Sequence, residues 1–346
     1  MRKSSFGLRI LFTALALLIV GVLASNAALV QQASQPTNEI PLGSGGGAPP
    51  GGDAVAGEAG GGAVASPESG GGPESLAFDG TYIWVTRQFK DAVVRIRASN
   101  GLSSGSFAVG KLPVALVVAG ANVWVANLGS DNVMKLRASD GVKLGTYSVG
   151  DGPGGLAYDG TNIWVTNRNS NNVKKVRASD GAVLDTYAVG RRPIGVVTLG
   201  GNVWVANNLD DTIVKLRASD GAKLGTYALG DGPFGVATDG ANIWVTNFFS
   251  KSLTKLRATD GAVLGTFTVG HDPAGISFDG TSIWIANSGE NTVMKVQMDG
   301  AILATYSTGK SPFGVVFDGT NVWSANFGSD SVSTSNAAAG TAPPVQ

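Results

Sequence analysis

Short apolar runs of four to eight residues alternate with polar turns along most of the chain, and the alternation itself recurs. In one copy, Pro153 opens the run 155-GLAYDG-160, and 162-NIWVTN-167 follows. A polar loop then leads into 172-NVKKVRASDG-181, and 182-AVLDTYAVG-190 closes the copy. The runs are rich in Val, Ile, Tyr, Thr and Trp, and none is long enough, or periodic at about 3.6 residues, to argue for a helix. Four β-strands per copy are predicted.

The tryptophans count the copies. Trp84, Trp124, Trp164, Trp204, Trp244, Trp284 and Trp323 are the only ones, spaced by 40 residues five times and then by 39. A fixed period of this size means that one structural unit has been copied. Asp79-Gly80 and Asp159-Gly160 fall between first and second runs, Asn100-Gly101 and Asp180-Gly181 between third and fourth. Such pairs tolerate the positive φ of type I′ turns and signal hairpins. Each copy therefore reads as an antiparallel four-stranded meander. One meander cannot bury both its faces, but seven packed face to face around an axis bury one another. A parallel β-helix needs shorter repeats, and the Leu/Asn framework of leucine-rich repeats is absent. The expected fold is all-β: a seven-bladed β-propeller over residues 73–335, with the tryptophans as core between blades.

The ends read differently. MRKSSFGLR carries three positive charges, and Ile10 to Ala24 is an unbroken apolar stretch. This is the pattern of a secretory signal peptide over residues 1–27, with an uncleaved signal anchor as the alternative. Residues 28–72 are Gly-, Ala- and Pro-rich, and such a stretch is expected to be a disordered linker. The seventh copy lacks a good fourth strand; in register, 61-GGAVASPESG-70 stands where it belongs and is expected to close the last blade. Residues 336–346 read as a flexible tail.

The full chain has zero formal charge; without Arg2, Lys3 and Arg9 it has 22 basic residues against 25 acidic, a net of −3. That argues against nucleic-acid binding, which needs a basic surface. With no cysteine, disulfides and thiolate chemistry are excluded. Membrane contact is expected only through an uncleaved N-terminal segment. The sequence points to an exported, monomeric protein, periplasmic, extracellular or at the cell surface.

The unit PxGxAxDGxxIWVxNxxxNxVxKxRASDGxxLxTYxVG resembles the YVTN-type β-propeller repeat, its signature appearing as WVTN at Trp164–Asn167 and WVAN at Trp124–Asn127. The resemblance implies the fold, in families that include surface and scaffold proteins. A more distant resemblance is to virginiamycin B lyase, a seven-bladed propeller whose family works with histidine and a carboxylate-held magnesium. Here there is one histidine, His271, and Asn stands where lyase repeats carry WFTE.

Within the chain, the loops after the tryptophan strands (168-RNSN-171, 208-NLDD-211, 248-FFSK-251, 288-SGEN-291) vary far more than the Asp-Gly turns. Variable loops on a rigid scaffold are where binding groups sit. Candidate binding residues are therefore Arg87, Arg191, Arg192, Phe234, Phe248, Phe249, His271, Phe313 and Phe327. Exposed aromatics anchor sugars or proteins, so the expected partner is a protein or glycan at the cell envelope. The repeated Asn127, Asn167, Asn207, Asn247, Asn287 and Asn326 read as structural, and Arg137 and its repeats as partners of nearby Asp. With no Asp-rich calcium loop, phosphate loop or nucleophile elbow, no catalytic residue, metal or cofactor is assigned. The alternative is a lyase- or hydrolase-type site at the channel mouth.

Overall fold

The computed structural model describes residues 38–42 and 71–337. Seven separate four-stranded antiparallel sheets follow one another around a ring. The first strand of each sheet lies against the first strand of the next, and Pro73–Phe78 of blade 1 lies against Pro312–Phe317 of blade 7. The seven-bladed propeller is the fold. The expected signal peptide at 1–27 lies outside the described residues, and no helix among those described is long and apolar enough to cross a membrane.

All seven tryptophans are buried, as are their neighbours Ile163 and Val165 in blade 3. The Asp-Gly pairs work differently from a two-residue type I′ turn. Glycine takes the positive φ, 94° at Gly160. Asp159 accepts from the Thr161 and Asn162 amides at 2.9 and 2.6 Å and from Trp164 Nε1 at 2.8 Å. Asp79, Asp239, Asp279 and Asp318 bind Trp84, Trp244, Trp284 and Trp323 in the same way. Blades 2 and 4 carry Ala119 and Leu199 instead, and the buried Trp124 and Trp204 Nε1 groups have no acceptor. An unmade buried hydrogen bond costs about 1–3 kcal/mol. Ala119→Asp is therefore expected to stabilise the ring by about 1 kcal/mol, read as a higher melting temperature; an unchanged or lower one would refute it.

Burial alone would raise the carboxyls of Asp159, Asp239 and Asp279, but donors from indole, turn amides and neighbouring side chains outweigh it and hold all three below the ordinary carboxylate value. In the unfolded chain these groups bind protons more readily. Their contribution is thus complete above about pH 4 and lost as pH falls through the lower folded values. Melting temperature should drop steeply below about pH 4, with a shallower slope in Asp159→Asn. Equal slopes in the two proteins would show that these aspartates do not govern acid stability.

A second repeated contact joins the blades. Lys135 Nζ donates to the Ala178 and Ser179 carbonyls of the next blade at 2.8 and 2.9 Å while lying 5.6 Å from the Trp124 ring centre. Arg95, Lys175, Lys215, Lys255 and Lys295 reach forward similarly, to Ala138, Ala218, Ala258, Met298 and Ala337. Six seams thus carry a cation, buried at Arg95, Lys135, Lys215 and Lys295 and half-buried at Lys175 and Lys255. The seam from blade 7 to blade 1 does not, because Thr334 occupies that register position opposite Trp323.

That seam is closed from the N-terminus, but not by the expected segment. The outer strand of blade 7 is Asn38–Pro41, antiparallel to Ser331–Asn336. Residues 61–70 lie outside the described residues, and the place expected for them is taken. The reason is alternation: Ile40 and Leu42 share a cluster with Val332 of blade 7 and Val94 and Ile96 of blade 1, whereas 61–70 is glycine-rich and interrupted by Pro67. Pro41 costs no ladder bond at an edge. The linker expected over 28–72 therefore contains a structural strand. At the other end, the last strand runs to Asn336 and Ala337 is buried, so the ring extends beyond the expected limit of 335.

Candidate functional site

Backbone bonds sort the connections onto two faces. The Asp-Gly turns meet one another, as Ala98 N–H donates to Thr81 and Ala138 N–H to Ala121. On the other face, the loop after each tryptophan strand meets the link entering the same blade, as Leu128 N–H donates to Leu112 and Arg168 N–H to Gly152. This second, variable face carries all the candidate binding residues.

Close packing of the first strands shapes its centre. A Cβ on Gly155, Gly195, Gly235 or Gly275 would come within 2.1–2.4 Å of the next blade's carbonyl oxygen. The residues just before these glycines therefore crowd around the channel opening. Counting from blade 1 they are Glu74, Val114, Gly154, Ile194, Phe234, Ala274 and Phe313. A second circle, just after the repeated Asn, is Gln88, Leu128, Arg168, Asn208, Phe248, Ser288 and Phe327.

Aromatic side chains occupy one arc of the mouth. Phe234 of blade 5 and Phe313 of blade 7 lie 6.1 Å apart, reaching past the small, buried Ala274 of blade 6. Phe248 lies 5.8 Å from Phe234, Phe327 5.6 Å from Phe313, and Phe89 5.5 Å from Phe327. Phe249 stacks edge-on against Phe248 at 5.3 Å and is 42% exposed. Five predicted phenylalanines thus come together, with Phe89 as an unpredicted sixth.

Charge occupies the rest. Arg168 of blade 3 lies 3.6 Å from Glu74 of blade 1, both side chains largely buried, and Gln88 Nε2 donates to Glu74 at 3.2 Å. Burial pushes the Glu74 carboxyl up, partly opposed by Arg168. Burial, and then repulsion from Arg168, lowers the Arg192 guanidinium. Arg192 holds φ at 53°, a conformation that Gly152 and Gly232 take in neighbouring links. Non-glycine residues pay for that conformation in strain. The sequence missed Glu74, Gln88 and Arg168, although each departs from its six counterparts at a position fixed by the period.

Of the remaining predicted residues, Arg87 is placed differently from expectation, and His271 is exposed on its loop. Arg87 is not on a recognition surface: it is 4% exposed and its Nη2 lies 2.6 Å from Asp330 Oδ2 across the closing seam. Arg191 forms an exposed ion pair with Asp210 and donates to the Leu209 carbonyl. His271 is 56% exposed on an outer link, 3.8 Å from Glu290 and 3.5 Å from Lys251 Nζ. That is too loose for a base oriented by a carboxylate. The repeated Asn residues are buried and structural: Asn167 Oδ1 accepts from Gly150 N–H at 3.0 Å while its Nδ2 donates to Asn172 at 2.8 Å. Arg137, Arg177, Arg217 and Arg257 pair with the aspartates three residues on, at 2.8–2.9 Å.

No protein-family model matches the chain, and no curated protein matches it. Solved structures do. A chain of Kuenenia stuttgartiensis hydrazine synthase superposes with a TM-score of 0.73 at 18% identity, covering 80% of this chain and 98% of that one. A streptogramin B lyase gives 0.66 at 21% identity, covering 78% and 94%. A catalytically inactive histidine-to-alanine variant of virginiamycin B lyase from Staphylococcus aureus, with quinupristin, gives 0.68 at 18%, covering 78% and 97%. The likeness is one of fold. It agrees with the expected resemblance to virginiamycin B lyase-like propellers, at identities that carry no chemistry with them.

Proposed function

We propose that this protein is an exported, non-enzymatic propeller that binds a protein or glycan partner at the cell envelope through the mouth of its variable face. The observation that carries the reading is the arc of phenylalanines, contributed by blades 5, 7 and 1, beside a buried Glu74–Arg168 pair. Varied side chains carried on a rigid scaffold are where binding groups are usually placed. Here the core repeats and the mouth does not. Export rests on the basic head and apolar stretch of residues 1–24, and cell fractionation showing the protein in the cytoplasm would remove it. The lyases that share the fold are enzymes, but the exposed, loosely paired His271 offers no comparable reason to assign chemistry here.

Binding is tested on a glycan array and on immobilised envelope proteins. The Phe248→Ala/Phe249→Ala double variant should bind at least about tenfold more weakly, in keeping with aromatic anchors at interfaces. Lys111→Ala, on the exposed link of blade 2, should bind normally. Equal binding by the aromatic variant would move the site elsewhere, and no binding to either surface would count against the role.

A further inference from the structure

The chemistry of the mouth narrows the partner, on the assumption that the mouth is a binding site. Its charged groups are unbalanced. The link carrying Arg192 is held to the loop carrying Arg168, the Arg192 N–H donating to Asn171 Oδ1 at 2.9 Å, and Glu74 is the carboxylate that faces Arg168. Arg168 is committed, its Nε covered by Gly154 and its Nη2 shared between the Gly154 carbonyl and Glu74, whereas Arg192 enters no ion pair among the described residues. An incoming anion would balance Arg192, and guanidinium groups suit carboxylates in particular because two N–H groups can bind one carboxylate.

The opposite side of the mouth asks for apolar groups. Phe234, Phe248, Phe313 and Phe327 are neither fully buried nor fully exposed, and none offers a hydrogen bond. The neighbouring amides are engaged: Gln88 Nε2 with Glu74, and Asn208 Nδ2 with the Pro233 carbonyl at 3.2 Å. A sugar brings hydroxyls that need partners when desolvated, and the phenylalanine side of the mouth offers none. Aliphatic and aromatic side chains need none.

We propose that the channel mouth binds an acidic peptide segment, Arg192 taking a carboxylate and Phe234, Phe248, Phe313 and Phe327 taking the apolar side chains beside it. The site would read the pairing of one negative charge with adjacent apolar residues, and binding would weaken as ionic strength rises.

A phage-displayed library of random dodecapeptides, selected on the immobilised full chain, tests this. Enriched peptides should carry Asp or Glu flanked by apolar residues. Synthetic versions with that residue changed to Asn or Gln should bind at least tenfold more weakly by fluorescence anisotropy. Arg192→Gln, with its fold checked by tryptophan fluorescence, should remove the preference for the acidic form, while Lys111→Ala should keep it. Enrichment of basic or uncharged peptides, or an acidic preference untouched by Arg192→Gln, overturns the assignment and leaves a binding role standing. Glycan binding that depends on Phe248, with no peptide enriched, also overturns it but preserves that role; no binding to peptides or glycans removes both.

Discussion

Arg87→Ala is expected to destabilise the ring by about 3 kcal/mol, more than loss of a surface ion pair would, because it strands a carboxylate in a buried seam. The Arg87 and Asp330 side chains are 5% and 19% exposed and meet at 2.6 Å. They join the loop after the tryptophan strand of blade 1 to that of blade 7, residues 243 positions apart in sequence. Every other seam has a third-strand cation reaching into the next blade's turn, and this one has threonine. Besides the ion pair, the seam has the short closing strand and the apolar cluster of Ile40, Leu42, Val94 and Ile96. For a domain of this size about 3 kcal/mol corresponds to a fall of roughly 6–12 °C in melting temperature. Arg87→Asn restores the residue of the other six blades and should be nearly as damaging, since Asp330 still loses its partner. Arg87→Asn with Asp330→Ser should recover much of the loss, and the double-mutant cycle isolates the pair. An Arg87→Ala melt within about 1 °C of the parent would show that the seam does not depend on it.

The period made the fold legible because the features that build a blade must recur in every blade. Tryptophan fixed the register, alternation fixed the strands, and Asp-Gly fixed the turns. What could not be read was whatever occurs once. The closing strand has no counterpart at its position in the repeat, so counting back from Pro73 led to 61–70, whereas Ile40 and Leu42 do the closing from beyond it. The third-strand cations recur with the period, but their partners lie about 43 residues ahead in the adjacent blade, a separation that no local pattern expresses. At the mouth, five phenylalanines were found because they break the pattern conspicuously. The pairing of Glu74 with Arg168 runs from blade 1 to blade 3, and no spacing in the sequence expresses that. Arg87 stands where the other six blades carry Asn, and its neighbour Asp330, at the far end of the chain, makes it structural and not a recognition residue.

Trp164→Ala is expected to cost about 3–5 kcal/mol, the range for emptying a large buried aromatic site. Trp164 is fully buried, stacks on Tyr187 at 5.7 Å and lies 5.4 Å from Lys175 Nζ. Its loss leaves a cavity between blades 3 and 4, removes the ring over which Lys175 sits, and takes from Asp159 Oδ2 its indole donor. Trp124 provides the control. It is equally buried, stacks on Tyr147 at 5.3 Å and lies below Lys135 in the same way, but Ala119 leaves its Nε1 without an acceptor. Trp124→Ala therefore creates a similar cavity while deleting a buried donor that was already a liability. It should cost about 1 kcal/mol less than Trp164→Ala, the net worth of one hydrogen bond. Urea unfolding of the two variants reads the difference directly, and Ala119→Asp should raise the cost of Trp124→Ala toward that of Trp164→Ala. Equal costs in both backgrounds would mean that the indole–aspartate bond contributes nothing, and that the turn aspartates are kept for their backbone amides alone.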